Sequence, residues 1–234
     1  MKPVAIFRHI SIEGAGYFAD FLARQQIDSV LIKVDENAPI PANPHEYSGL
    51  VFMGGNMSVN DDLPWIPQSL NLIRAAIAAD IPVLGHCLGG QLISKALGAA
   101  VSRNAITELG WGSVTTTDND VARAWFDGLQ QFNSFHWHGE TFALPAGATH
   151  ILKNTYCDNQ AYALGKHLAL QCHVEMTADM VKTWCTHGID EINAASNSPA
   201  VQTAAAMQIN LEQQITELNR VADRLYSRWI KGLK

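Results

Sequence analysis

The stretch Val83-Leu84-Gly85-His86-Cys87-Leu88-Gly89-Gly90-Gln91 decides how the rest of the chain is read. A short apolar run enters a glycine-flanked turn and leaves it in a helical pattern, so the segment reads strand, sharp turn, helix. Cys87 sits at the turn in a Gly-x-Cys-x-Gly arrangement, the cysteine counterpart of the Gly-x-Ser-x-Gly nucleophile elbow. The spacing has a steric reason: a side chain on so tight a turn needs neighbours without side chains on both flanks, here Gly85 and Gly89. The turn also opens a helix, whose positive end favours thiolate over thiol. The alternative is a buried structural cysteine beside a glycine-rich turn, since such turns also serve packing or phosphate binding.

Outward from that turn, short apolar runs alternate with longer amphipathic ones. Residues 4–7, 29–34, 49–53 and 83–85 read as strands, and 17–25, 65–79 and 88–97 as helices. This is the βαβ rhythm of an α/β protein with an open, mainly parallel sheet and helices on both faces. The strand candidates are nearly all apolar, as strands covered on both faces should be. Pro82 and Gly98 supply the stops of the second and third helices. From about residue 99 to 149 the pattern weakens; 113–117 and 133–137 are strand candidates, while 118–120 and 145–147 read as turns.

The last strand expected is 168–172, and the pattern then becomes helical, first over 178–187. A long helix follows, opened by Ser198 as N-cap and Pro199 at its first position. Within it Leu211, Ile215, Leu218, Ala222, Leu225 and Trp229 form one apolar seam, which packs on this domain or joins a second copy in a homodimer. Residues 1–234 are read as a single domain, with about 190–234 as a C-terminal helical segment.

Composition bounds the function classes. The 234 residues carry 16 Lys+Arg against 22 Asp+Glu, a net charge of −6, so no global field draws in nucleic acid. The apolar run near the start is cut by Arg8 and His9, too early for a signal-peptide core, and no stretch approaches the roughly 18 apolar residues of a membrane helix. The expectation is a soluble cytoplasmic protein. The four cysteines, Cys87, Cys157, Cys172 and Cys185, lack CxxC spacing and suit neither a disulfide framework nor a zinc ribbon.

A second segment, Leu168-Ala169-Leu170-Gln171-Cys172-His173-Val174-Glu175, is an apolar strand ending in His-x-Glu. Residues two apart in extended chain point to the same side, so Glu175 can hold one nitrogen of His173 and leave the other to take a thiol proton. By itself His-x-Glu is common and mostly structural. Paired with the elbow, it completes a Cys–His–Glu set.

These two segments, with Met53-Gly54-Gly55-Asn56-Met57-Ser58-Val59-Asn60-Asp61, Glu108-Leu109-Gly110-Trp111 and Phe135-His136-Trp137-His138-Gly139-Glu140, resemble the class I (triad) glutamine amidotransferases. The similarity is greatest to stand-alone proteins like the glutaminase domain of GMP synthetase. It implies a flavodoxin-like sheet and hydrolysis of glutamine to glutamate and ammonia through a γ-glutamyl thioester. Carried over by position, Cys87 is the nucleophile, His173 the general base and then acid, and Glu175 the group that orients it. Gly55 and Leu88 supply oxyanion N–H groups; Gly54, Gln91, Trp137, His138 and Gly139 contact substrate. Met53-Gly54-Gly55 also reads simply as a glycine-rich strand end.

Two departures concern prolines: the family usually has proline where this chain has Asn56 and Val174. Their loss relaxes a backbone restraint. No cofactor is implied. His136 and His138 invite a metal reading, but no further ligand set with recognisable spacing accompanies them, and no metal is expected. Neither a Gly-x-x-x-x-Gly-Lys-Ser/Thr loop nor the Ser-Gly-Gly-x-Asp-Ser signature of an ATP-using domain is present. Ammonia would therefore pass to a separate synthetase, unless the substrate is another γ-glutamyl amide, as in γ-glutamyl peptidases, or the chain is a non-catalytic binding module.

Overall fold

Val4 and Ile6 face one way along the first strand and Ala5 and Phe7 the other, and all four are buried in two different cores. Such a strand needs a cover on each face. The computed structural model describes residues 2–234. In chain order it places β1 (Val4–Arg8), α1 (Gly16–Arg24), β2 (Ser29–Lys33), β3 (Gly49–Phe52), α2 (Trp65–Ala78), β4 (Val83–His86) and α3 (Leu88–Ala96). Next come β5 (Val101–Thr116), α4 (Asp120–Phe126), β6 (Gln131–Phe142), β7 (Thr149–Lys153), β8 (Ala161–Leu164) and β9 (His167–Leu170). The chain continues through α5 (Ala178–His187), α6 (Ile189–Ala194), β10 (Ala200–Val201), α7 (Ala204–Met207) and α8 (Leu211–Trp229).

The strands form one sheet. Strands β2, β1, β3, β4 and β9 lie side by side and parallel; beyond β9 the sheet continues antiparallel through β8, β7 and β5. β6 pairs antiparallel with β5, and β10 adds a short parallel edge to β5. Helices α2 and α3 cover one face; α1, α4, α5 and α8 cover the other. The mainly parallel α/β architecture with a C-terminal helix is as expected, and the ends of β3, β4 and β9 meet where the candidate site residues lie.

From β5 to β8 the structure adds what the sequence pattern concealed. The strand candidates at 113–117 and 133–137 fall in a long antiparallel pair, β5 with β6 joined through α4, and the register of the pair shifts between Arg103 and Glu108. That irregularity, on strands with one polar face, breaks the alternation. The turn at 118–120 runs straight into α4, capped by the Asn119 side chain accepting from the Ala122 N–H. β7 and β8 were not anticipated.

The C-terminal expectation is corrected in two respects. Ser198 and Pro199 do not open a helix: Ser198 Oγ donates to the Thr107 carbonyl at 2.6 Å, and Ala200–Val201 extend the sheet as β10, so 168–172 is not the last strand. The helices begin later, α7 behind the Thr203 cap and α8 after Asn210 at φ 52°. The seam residues of α8 are all buried within this chain, so that surface is not open to a second copy. Trp229 is fully buried, edge-on to Phe18, and a Cβ on Gly49 would lie 2.8 Å from its ring. Replacing it by alanine, Trp229→Ala, leaves a large cavity under the parallel strands. The expected loss is about 3–5 kcal/mol in urea unfolding.

Candidate active site

The site is built on the turn between β4 and α3. A Cβ on Gly89 would strike the carbonyl of Phe52 at the end of β3, and one on Gly85 would strike the backbone of Gly89. The helix start thus lies directly on the strand ends, and Cys87 between them adopts φ 49°, ψ −108°, a region non-glycine residues rarely occupy. Its N–H donates to the Leu170 carbonyl of β9 at 2.8 Å, and its carbonyl accepts from the Gln91 N–H at 3.0 Å. Cys87 as a residue is 6% exposed, at the N-terminus of α3. Its sulfur lies 3.8 Å from the Trp137 carbonyl and accepts a hydrogen bond from Gln171 Nε2 at 3.4 Å. Gln171 is held in turn by Gln91, which donates to its Oε1 at 3.2 Å.

Beyond β9 the chain brings in His173 and Glu175, both buried. The His173 N–H donates to the Phe135 carbonyl of β6 at 2.8 Å, a single β-bridge that restrains the backbone where the family proline is replaced by Val174. His173 Nδ1 donates to Glu175 Oε1 at 2.6 Å, leaving Nε2 without a hydrogen-bond partner among the described residues. Burial opposes a charge on His173, but Glu175 and Cys87 outweigh it and hold the imidazole pKa well above its usual value. Burial likewise opposes ionisation of Glu175, and His86 with His173 overcomes it, so its pKa is lowered. His86 Nε2 lies 3.7 Å from Glu175 Oε2 and 3.0 Å from the Tyr226 hydroxyl of α8. Trp184 on α5 packs perpendicular to the His173 ring, with centroids 4.9 Å apart. A thiol at a helix N-terminus, an imidazole and a carboxylate so arranged can deliver a nucleophile and shuttle its proton.

The loop after β3 adjoins the elbow. His9 Nδ1 donates to the Met53 carbonyl at 3.0 Å, and burial lowers the His9 pKa to about 4, which keeps the ring neutral. A Cβ on Gly55 would lie 2.9 Å from Leu88 Cδ2. Neither the Gly55 nor the Leu88 N–H has an acceptor among the described residues. Asn56, in place of proline, is exposed, and the loop is secured further on: Lys95 donates to the Val59 carbonyl at 2.6 Å, Asn60 to the Val101 carbonyl at 3.0 Å and Ser58 to Glu140 at 3.1 Å. Gly55, Cys87, Gln91, Trp137, His138 and Gly139 line one cleft of about 880 Å³; Gly54 is buried behind it.

Several of these partners escaped the sequence reading. Gln171 lies within a quoted motif, yet only the register of β9 against β4 shows its amide reaching the Cys87 sulfur. Tyr226, on the last helix, is far from His86 in sequence. Glu108 faces His138 across the β5–β6 register, with His138 Nε2 3.0 Å from Glu108 Oε2. Asn154 and Gln160 also donate to Glu108, at 2.5 and 2.9 Å. Glu108, His136 and His138 form a buried cluster whose ligating atoms lie within 4.8 Å of one another, so the two histidines do have a carboxylate companion. Glu108 and His138 satisfy each other directly, and burial, which would raise the Glu108 pKa, is outweighed by the two histidines, which lower it.

The model of the glutamine amidotransferase class-I family matches residues 18–192. The chain belongs to that family. A solved glutamine amidotransferase from Methylobacillus flagellatus is 43% identical and superposes with a TM-score of 0.97, covering 100% of this chain and 96% of its own. The glutamine amidotransferase-like protein YfeJ of Salmonella typhimurium is 28% identical over 228 residues, 93% of this chain and 94% of that one. Gamma-glutamyl peptidase 3 of Arabidopsis thaliana is 24% identical over 178 residues, 71% of each chain.

In this amidotransferase the Gln171 amide is the side-chain donor that holds the Cys87 sulfur, at 3.4 Å. Gln171→Met keeps the side-chain volume and removes the donor. Without that bond to fix the sulfur in the cleft, alkylation of Cys87 by iodoacetamide is expected to slow about fivefold, the worth of one hydrogen bond, with the circular dichroism spectrum unchanged.

Proposed function

We propose that this class I amidotransferase hydrolyses the side-chain amide of glutamine to glutamate and ammonia, and that Cys87, His173 and Glu175 carry the reaction. The observation behind this reading is the buried Cys87–His173–Glu175 constellation on a strand–helix elbow, with a glycine loop beside it. The Cys87 thiolate attacks the amide carbon; the N–H groups of Gly55 and Leu88 receive the oxyanion, a role worth about 2.7–4 kcal/mol per donor. His173, held by Glu175, protonates the departing nitrogen as the C–N bond breaks. Water, deprotonated by His173, then cleaves the γ-glutamyl thioester. The backbone around Trp137, His138 and Gly139 contacts the amino-acid end of the substrate, and Gln91 and Gly54 complete the glutamine site. No step calls on a cofactor.

The ammonia would pass to a separate synthetase in the cytoplasm. No helix among the described residues is long and apolar enough to cross a membrane. The second reading is a γ-glutamyl peptidase using the same thioester, favoured by the similarity to the Arabidopsis protein.

Purified chain with glutamine is expected to release glutamate and ammonia in equal amounts, and Cys87→Ala to lower the rate at least about a thousandfold. Faster release of glutamate from γ-glutamyl peptides would select the peptidase reading. Absence of turnover with any γ-glutamyl compound, with candidate synthetases added, would leave a binding module on this fold as the better description.

A further inference from the structure

Glu13, on the loop between β1 and α1, shares the cleft with Cys87 and takes no part in the triad. Its loop is fastened to the segments that carry His173 and Glu175. Trp184, which packs perpendicular to His173, donates from Nε1 to the Ile12 carbonyl at 3.0 Å. The Tyr17 N–H donates to the Glu175 carbonyl at 2.8 Å, and the Glu13 N–H to the Ile10 carbonyl at 3.1 Å. The carboxyl group lies over Gly54: a Cβ there would strike Glu13 Oε2 and sit 3.2 Å from His173 Cε1. Carboxylate and imidazole edge therefore converge on one spot beside the glycine loop.

Glu13 Oε2 is buried and has no hydrogen-bond partner among the described residues. The other carboxylates lining the cleft are engaged, Glu140 by the Ser58 hydroxyl at 3.1 Å and Glu191 by Trp137 Nε1 at 2.8 Å. A buried acceptor without a donor is costly unless a ligand supplies one. Burial raises the Glu13 pKa to about 7; His173 pulls against the rise, and Glu175 and Glu191 add to it.

Resting on the γ-glutamyl amide reading above, we infer that Glu13 is the leaving-group subsite. Its carboxylate accepts a hydrogen bond from the departing nitrogen and repels leaving groups that bear their own carboxylate. The chain then takes glutamine and γ-glutamyl amides of neutral or cationic amines ahead of γ-glutamyl peptides. In the first half-reaction Cys87 Sγ bonds to the carbonyl carbon of the side-chain amide, the carbon–nitrogen bond breaks, and His173 Nε2 gives its proton to the nitrogen. Cε1 is bonded to that Nε2, so the Glu13 carboxyl, which meets the same spot over Gly54 as Cε1, flanks the path of the leaving nitrogen. Ammonia brings only donors there. An amino-acid leaving group carries a carboxylate two bonds from its nitrogen and thrusts it toward Glu13, a like-charge encounter away from bulk water.

The test compares the full chain with Glu13→Gln, which keeps shape and removes charge. γ-Glutamylethylamide and γ-glutamylglycine serve as substrates at pH 8, differing chiefly in the leaving group's carboxylate. Glu13→Gln is expected to shift the ratio of their kcat/KM values toward γ-glutamylglycine by about tenfold or more. A second measurement needs no turnover: alkylation of Cys87 by iodoacetate relative to iodoacetamide should rise by a similar factor. If hydrolysis occurs and neither ratio moves, the role of Glu13 falls while the hydrolase stands. If the unaltered chain hydrolyses no γ-glutamyl compound, the hydrolase reading falls and the leaving-group role with it.

Discussion

The close approach of α3 to the end of β3 is the constraint on which the rest of the site depends. Gly89 leaves no space between the first turn of the helix and the Phe52 carbonyl, and Gly85 none between β4 and that same turn. Cys87 is thereby placed at φ 49°, a conformation of the kind that costs about 1–3 kcal/mol and persists only where its surroundings over-determine it. Here the surroundings are the parallel strands on either side of β4. β9 anchors the Cys87 N–H through Leu170 and then delivers Gln171 and His173; β3 runs on into Gly54 and Gly55. One steric contact thus sets the spacing of thiol, imidazole and glycine loop together, at the carboxyl edge where doubly wound sheets place ligands.

Around His173 two carboxyl groups are pushed in opposite directions. Glu175 shares a proton contact with Nδ1 and is lowered by His86 and His173 against the effect of burial. Glu13, whose Oε2 lies over Gly54 without a donor, is raised by burial to about 7. A fixed anion on one side suits an orienting role, and an unsatisfied acceptor on the other suits a transient ligand. The last helix supports this arrangement from behind, because Tyr226 of α8 meets His86, which in turn faces Glu175. The packing of the C-terminal segment and the electrostatics of the site are therefore joined through two buried side chains.

The parallel half of the fold was legible because its signals are local. Apolar strands at 4–7, 49–53 and 83–85, helices between them and the glycines around Cys87 each carry their meaning within a few residues. The antiparallel half was not, since the register shift between Arg103 and Glu108 interrupts the alternation that would mark β5. Ser198 and Pro199 carry a helix-start pattern, but the Ser198 hydroxyl is taken by the Thr107 carbonyl and the backbone joins the sheet edge, a tertiary contact overriding local preference. The chemistry followed the same division. Cys87, His173 and Glu175 lie in short motifs, whereas Gln171, Glu13 and the Glu108–His138 pair gain their partners only when strands and loops distant in sequence are brought together.

The most direct test of Cys87 as the nucleophile of a glutamine site is covalent labelling with 6-diazo-5-oxo-L-norleucine, a glutamine-shaped electrophile, followed by digestion and mass mapping. A single adduct on the peptide containing Cys87, abolished by excess glutamine and absent from His173→Ala, is expected. Labelling of Cys157, Cys172 or Cys185 instead, or none at Cys87 while that thiol still reacts with iodoacetamide, would contradict it.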